Sequence, residues 1–132
     1  MKLLPPALYA ALRANHVARG KRLRQGVDRF DPVPLLRLFN PIGAAIWLAT
    51  EIDEDGVLFG LADLGFGCPE LGYFSLEELQ SIRLPFGLRI EHDGSFVGCH
   101  PLSVYARVAT RVGSLLEVER RLHEAAALKG ER

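Results

Sequence analysis

Four side chains in one stretch of this chain are of types that could share a reaction: Glu51, Asp63, Glu70 and Tyr73. Two carboxylates held roughly 5 to 10 Å apart can divide the work of acid and base, or of acid and nucleophile, in hydrolysis. A hydrolase or nuclease of that kind, with or without a divalent metal, requires the carboxylates to converge in one cleft. Pairing Ile52 with Val57 across the acidic turn sets Thr50 against Phe59, Leu48 against Leu61 and Ile46 against Asp63. The other face then pairs Glu51 with Leu58, so Glu51 and Asp63 fall on opposite sides of the hairpin. Glu51 with Glu70 remains open, since glycines between them could carry Glu70 over either face. The plainer role for these carboxylates is to hydrogen-bond the corner, because no nucleophile or phosphate cradle accompanies them. The leaning is therefore away from an enzyme.

Other reactive types are weaker still. Cys68, His92, Cys99 and His100 could supply sulfur and nitrogen ligands, but the only close pair is Cys99-His100. Zinc motifs use spaced pairs such as C-x-x-C, and adjacent residues on a strand point to opposite faces. No metal or cofactor is expected. Cys68 could be a reactive thiol, but packing or an idle surface position explains it without a partner base. GFGCPELG lacks the G-x-G-x-x-G spacing and a following lysine, so its glycines mark a corner and not a nucleotide loop.

Charge is balanced overall, with 16 Lys and Arg against 16 Asp and Glu in 132 residues. It is unevenly placed. Arg19, Lys21, Arg22 and Arg24 crowd an early segment opposed locally by Asp28 alone. Such a run could bind a nucleic-acid backbone by counterion release, but without interleaved aromatics it would read little sequence. Asp53, Glu54, Asp55, Glu70, Glu77 and Glu78 lie between Arg37 and Arg83, where there is no basic residue. They could form an acidic interaction surface, imitate a phosphate backbone, or pair with the basic segment. The start, MKLLPPALYA, is a poor secretory signal, and no apolar run reaches the ~20 residues that span a bilayer. A cytoplasmic protein with no membrane partner is expected, and its oligomeric state is open.

The elements that must position these residues follow from periodicity. Pro5-Pro6 opens a helix whose apolar stripe is Leu4, Leu8, Ala11 and Leu12, with Gly20 as C-cap and a loop after it. Asp31-Pro32-Val33-Pro34 enforces an extended path. Leu35–Phe39, Ala44–Ile52 and Val57–Phe66 read as strands, the last two joined by Asp53-Glu54-Asp55-Gly56. Gly60 leaves room for the Trp47 ring. Gly65, Gly67, Pro69 and Gly72 turn the chain before Tyr73. Ser75-Leu76-Glu77-Glu78 is a capping box opening a short helix that Pro85-Phe86-Gly87 ends. LRIEHDGSFVG reads as a further hairpin. From Leu102 to 128 apolar residues recur at helical spacing, with Gly113-Ser114 able to kink or split the helix.

The blocks FNP, WLATE, LFGLADLGFG, PELG, FSLEEL and LPFGL, in that order, resemble a bacterial domain-of-unknown-function family found on plasmids and other mobile elements. The matching positions include Asn40, Pro41, Trp47, Thr50, Glu51, Phe59, Gly60, Glu70, Gly72, Phe74, Ser75, Leu76 and Leu79, and the resemblance covers roughly Leu3 to Arg107. It implies an α+β fold and no defined chemistry. It also implies residence on mobile DNA, and so a part in plasmid maintenance, transfer or evasion of host defences.

The expected fold is a single α+β domain over 1–132. A sheet-rich core at 30–100 holds about four or five antiparallel strands around a central hairpin, covered by helices on one face. A long helix follows at 102–128. The expected function is a non-catalytic protein-binding or regulatory module. The alternatives are nucleic-acid binding through Arg19, Lys21, Arg22 and Arg24, and a carboxylate-based hydrolase or nuclease.

Overall fold

The computed structural model describes residues 3–27 and 29–130. Asp28, the acid set against the basic segment, lies outside the described residues, as do the last two residues of LKGER. The first helix, α1, runs from Pro6 to Arg24, four residues beyond the expected stop at Gly20. Lys21, Arg22, Leu23 and Arg24 are good helix formers, and three cations in the last turn suit the negative end of the dipole. Termination comes at Gly26, whose φ of 76° lets its N–H reach the Leu23 carbonyl while Val27 donates to Arg22.

Five antiparallel strands form one sheet: β1 (Leu36–Phe39), β2 (Ile46–Ile52), β3 (Val57–Asp63), β4 (Glu70–Ser75) and β5 (Glu91–His92), in the order β4-β3-β2-β1-β5. The glycine corner ends at Pro69, earlier than its composition suggests, and Glu70 already pairs with Ala62. Of the expected hairpin at 88–98, only Glu91-His92 is a strand, and its partner is β1. There Asp93 accepts from the Ser95 N–H and hydroxyl, which bends the chain away.

The β2–β3 register holds at Ile46↔Asp63, Leu48↔Leu61 and Ala49↔Gly60, then slips by one at a bulge. Thr50 is the extra residue, so Glu51 opposes Phe59 and Ile52 opposes Leu58. The expected pairs Thr50–Phe59, Glu51–Leu58 and Ile52–Val57 are therefore displaced, and Glu51 moves to the other face. Beside the bulge the two backbones close in. A Cβ on Gly60 would overlap the Leu48 carbonyl oxygen and lie 2.8 Å from the Ala49 Cα, so backbone and not the Trp47 ring excludes a side chain there.

Helices cover both faces of the sheet, not one. On one face α1 and the short α2 (Leu76–Ser81) bury Leu12, Leu36, Leu38, Trp47, Ala49 and Leu58. On the other, α3 (Leu102–Val112) and α4 (Leu115–Gly130) bury Ile46, Leu48 and Leu61 under Tyr105, Ala109, Leu115 and Val118. That is why every residue of β2 is buried, as in a strand covered on both sides. The expected long helix is two: Gly113 turns left-handed at φ 71°, and the Ser114 hydroxyl accepts from the Glu117 N–H to start α4.

Candidate functional site

β1 ends opposite Ala49, leaving the last carbonyls of β2 without a strand partner on that side. Side chains of α1 take its place: Asn15 donates to the Thr50 carbonyl at 2.9 Å and Arg13 to that of Ile52 at 3.3 Å. The same helix brings Arg19 to Glu51, with Nε 2.7 Å and the terminal nitrogen 2.6 Å from Oε2. Glu51 is 3% exposed. Its hydrogen bond holds the Arg19 guanidinium above its ordinary pKa, against the opposing effect of burial. The guanidinium lies over Phe30 and Phe59, 5.1 and 5.7 Å from the ring centres. His16 stands between two acids, 4.0 Å from Glu51 Oε1 and 3.9 Å from Glu54 Oε2. His16, Arg19, Glu51, Asp53, Val57, Phe59 and Tyr73 line a cavity of about 130 Å³, large enough for one inserted side chain.

Two of the four residues singled out in the sequence, Glu51 and Tyr73, thus share this pocket; the other two lie elsewhere. Asp63 now shares a face with Glu51, but it sits four residues beyond Glu51's partner Phe59, about 13 Å along the strand. Its carboxylate accepts from the N–H groups of Gly65 and Leu115 at 2.8 and 2.9 Å, joining the corner to the start of α4. Glu70 pairs with Ala62 on the opposite face, exposed beside Cys68 and Phe66. The three carboxylates do not form a cluster. Among the described residues no group of His, Cys, Asp and Glu is placed to hold a metal.

The basic and acidic segments partly meet. Arg19 is committed to Glu51, and Arg13 reaches Glu54 at 3.5 Å. Arg22 lies over the Phe30 ring and donates to the Arg29 carbonyl, while Lys21 and Arg24 complete the last turn of α1. Asp53, Glu54, Asp55, Glu77 and Glu78 gather at one end of the sheet, while Glu70 lies at the other end of β4. Leu76 donates to the Gly56 carbonyl at 3.0 Å, which sets Glu77 and Glu78 of α2 beside the Asp53–Asp55 turn. Asp53 itself is held below its ordinary pKa, first by the Val57 N–H.

β4 is the outer strand at this side of the sheet, and α3 and α4 stop short of it. Leu71 and Tyr73 are left open on its face, Tyr73 at 76% exposure with its ring 5.1 Å from that of Phe59. Phe66, 82% exposed, and Leu64 lie instead beside Ala62 and Glu70 on the opposite face.

The family described as protein of unknown function, DUF2958, matches residues 3–116. The chain belongs to this family. No curated protein and no solved structure matches it. The family match takes in α1, the whole sheet and α3, so the Glu51 pocket and the β4 edge both lie inside it.

Beyond the match, α4 contributes residues that the sequence reading passed over. Glu119 falls on the apolar stripe Leu115, Val118, Leu122, where an acid is out of place; that was a legible signal. It is buried, with Oε2 2.7 Å from Arg37 Nε, and Arg37 also reaches Asp93 at 3.3 Å. The adjacent Tyr105 is fully buried, and desolvation pushes its phenol well above the usual range. Its oxygen meets the Cys99 N–H at 3.1 Å, Cys99 Sγ at 3.4 Å and His123 Nε2 at 2.9 Å.

Proposed function

We propose that this member of the DUF2958 family is a non-catalytic protein-binding module that takes up an extended, basic segment of a partner along β4. The observation that carries the reading is the uncovered outer strand, with Leu71 and Tyr73 open on its face. Unpaired strand edges accept a further strand through backbone hydrogen bonds, and exposed apolar side chains then give selectivity. The acids at the end of the sheet, Asp53, Asp55, Glu77 and Glu78, favour a partner segment carrying Lys or Arg. The Glu51 pocket opens beside Tyr73 and suits a single side chain of that segment. A partner that normally holds nucleic acid would fit the same acidic surface, and the resemblance to mobile-element proteins connects such capture with plasmid maintenance or host defence. Separation of Glu51, Asp63 and Glu70 weighs against a hydrolase, and the commitment of Arg19 to Glu51 weighs against a nucleic-acid role for its segment.

The test places a benzophenone amino acid at position 73 and, as control, at exposed position 128 of α4, followed by irradiation in a bacterial host. The reading expects one protein joined at 73 and not at 128, with the yield falling when Asp55, Glu77 and Glu78 are made Asn and Gln. Equal labelling at both positions, or none at 73, overturns it. Labelling at 73 that disappears with nuclease would transfer the reading to nucleic acid.

A further inference from the structure

A second cleft lies toward the β5 edge of the sheet, away from β4 and independent of the β4 reading. Between α4 and the loop after β5 is a cleft of about 630 Å³, within the range of small-molecule sites. Its lining includes Arg37, Asp93, Phe96, Val97, Glu119 and His123, with Leu116 at the mouth. Glu119 is nine-tenths buried, and its Oε1 has no hydrogen-bond partner among the described residues. A desolvated carboxylate oxygen left in that condition is costly and calls for a donor. Arg37 does not supply one, since its Nε serves Oε2 and its terminal nitrogen reaches Asp93. Across the cleft Arg37 and Arg120 stand against Asp93, Glu117 and Glu119, which leaves the lining one negative charge in excess.

His123 on the cleft wall is fixed from behind. The Tyr105 oxygen accepts from the Cys99 backbone, so its own proton is free to point at His123 or at the thiol. Nε2 of His123 is thereby held 2.9 Å from that oxygen, which leaves Nδ1 as the ring's other polar atom. The imidazole ring lies 5.9 Å from that of Phe96, and together with Val97 and Leu116 they give the cleft an apolar, partly aromatic side.

We propose that this cleft binds a small organic cation, an amine or guanidinium on an apolar body, with its N–H donated to Glu119 and its body against Phe96 and Leu116. The excess negative charge selects the cation, and the aromatic wall favours it further. Glu119 and His123 lie beyond the span of the family match, so the site is argued from this chain's own residues.

Tryptamine and agmatine are the probes, titrated into isotope-labelled full-length protein and followed by amide NMR shifts. Saturable shifts at Phe96, Val97, Leu116 and His123 are expected, with indole-3-propionate, which carries the opposite charge, giving none. Glu119→Gln is expected to weaken binding at least tenfold. Because that change also touches the Arg37 pair, Leu116→Trp at the exposed mouth serves as a second variant and is expected to block the cleft while the fold persists. Absence of saturable shifts with both amines, equal binding of indole-3-propionate, shifts confined to β4, or binding that survives Leu116→Trp would each overturn the proposal.

Discussion

Replacing Gly60 by alanine tests the closest approach in the sheet. The added Cβ would overlap the Leu48 carbonyl oxygen and lie 2.7 Å from its carbon and 2.8 Å from the Ala49 Cα. All three atoms are backbone, and β2 is paired on both sides at this point, to β1 through Ala49↔Leu36 and to β3 through Ala49↔Gly60. Retreat of β2 therefore loosens ladder bonds. Overpacking a core costs about 1–3 kcal/mol and each hydrogen bond lost about 1 kcal/mol more, so a loss on the order of 3–4 kcal/mol is expected. For an m-value near 2 kcal/mol/M, that lowers the urea midpoint by roughly 2 M. Gly72→Ala is the internal control. Gly72 pairs with Gly60 one strand further out, yet its added Cβ would meet nothing within 4 Å. It is expected to be neutral or to stabilise by up to ~1 kcal/mol through the unfolded chain. The reasoning is refuted if Gly60→Ala unfolds within about 1 kcal/mol of the parent, or if both glycines respond alike.

Arg19→Met removes the counter-ion of a buried carboxylate and is expected to cost about 2–4 kcal/mol in urea unfolding, with Arg19→Lys recovering only part because a single ammonium replaces two guanidinium N–H groups. Asp63→Ala leaves the buried Leu115 N–H without its acceptor, and a loss of about 2–3 kcal/mol should appear in the same assay. Glu117 is held down to about 2 by Arg120 and Arg121, below its ordinary 4.5. A depressed carboxylate stabilises the fold above its unfolded pKa, so this contribution is complete above pH 4.5 and fades as pH falls toward 2. Carboxyl NMR should place the Glu117 midpoint near 2 and return it toward 4.5 when Arg120 and Arg121 are both alanine.

The parts of the fold legible in the sequence are those where local pattern and final contact agree. The register counted back from the acidic turn holds at Ile46 to Ala49. The bulge at Thr50 carries no glycine or proline to mark it, although the chain gains a residue there against β3. One slipped residue carried Glu51 to the other face, and with it the Arg19 pocket. Gly20 and Gly26 are both acceptable helix stops by type; the good helix formers Lys21 to Arg24 carry the helix on to the later one. β4 was hidden by its glycine and the nearby Pro69, since a weak strand former pairs well when its neighbour β3 is already placed. Ser114-Leu115-Leu116-Glu117 had the capping pattern that splits the last helix, and a charged Glu119 on an apolar stripe pointed to a buried partner; that Arg37 would be it depends on strand order, which no local pattern contains.

Burial of β2 on both faces also fixes a timetable for synthesis. One cover, α1, leaves the ribosome before the sheet, so Trp47, Ala49 and Leu58 can be shielded as soon as β2 and β3 emerge. The other cover is made last. Ile46, Leu48 and Leu61 face solvent until Tyr105, Leu115 and Val118 have been added, and during that interval the nascent chain carries an apolar strip with an open strand edge beside it. A chain halted at His100 is therefore expected to sediment or to be retained by chaperones, and the same chain resupplied with the 101–130 segment in trans is expected to recover solubility.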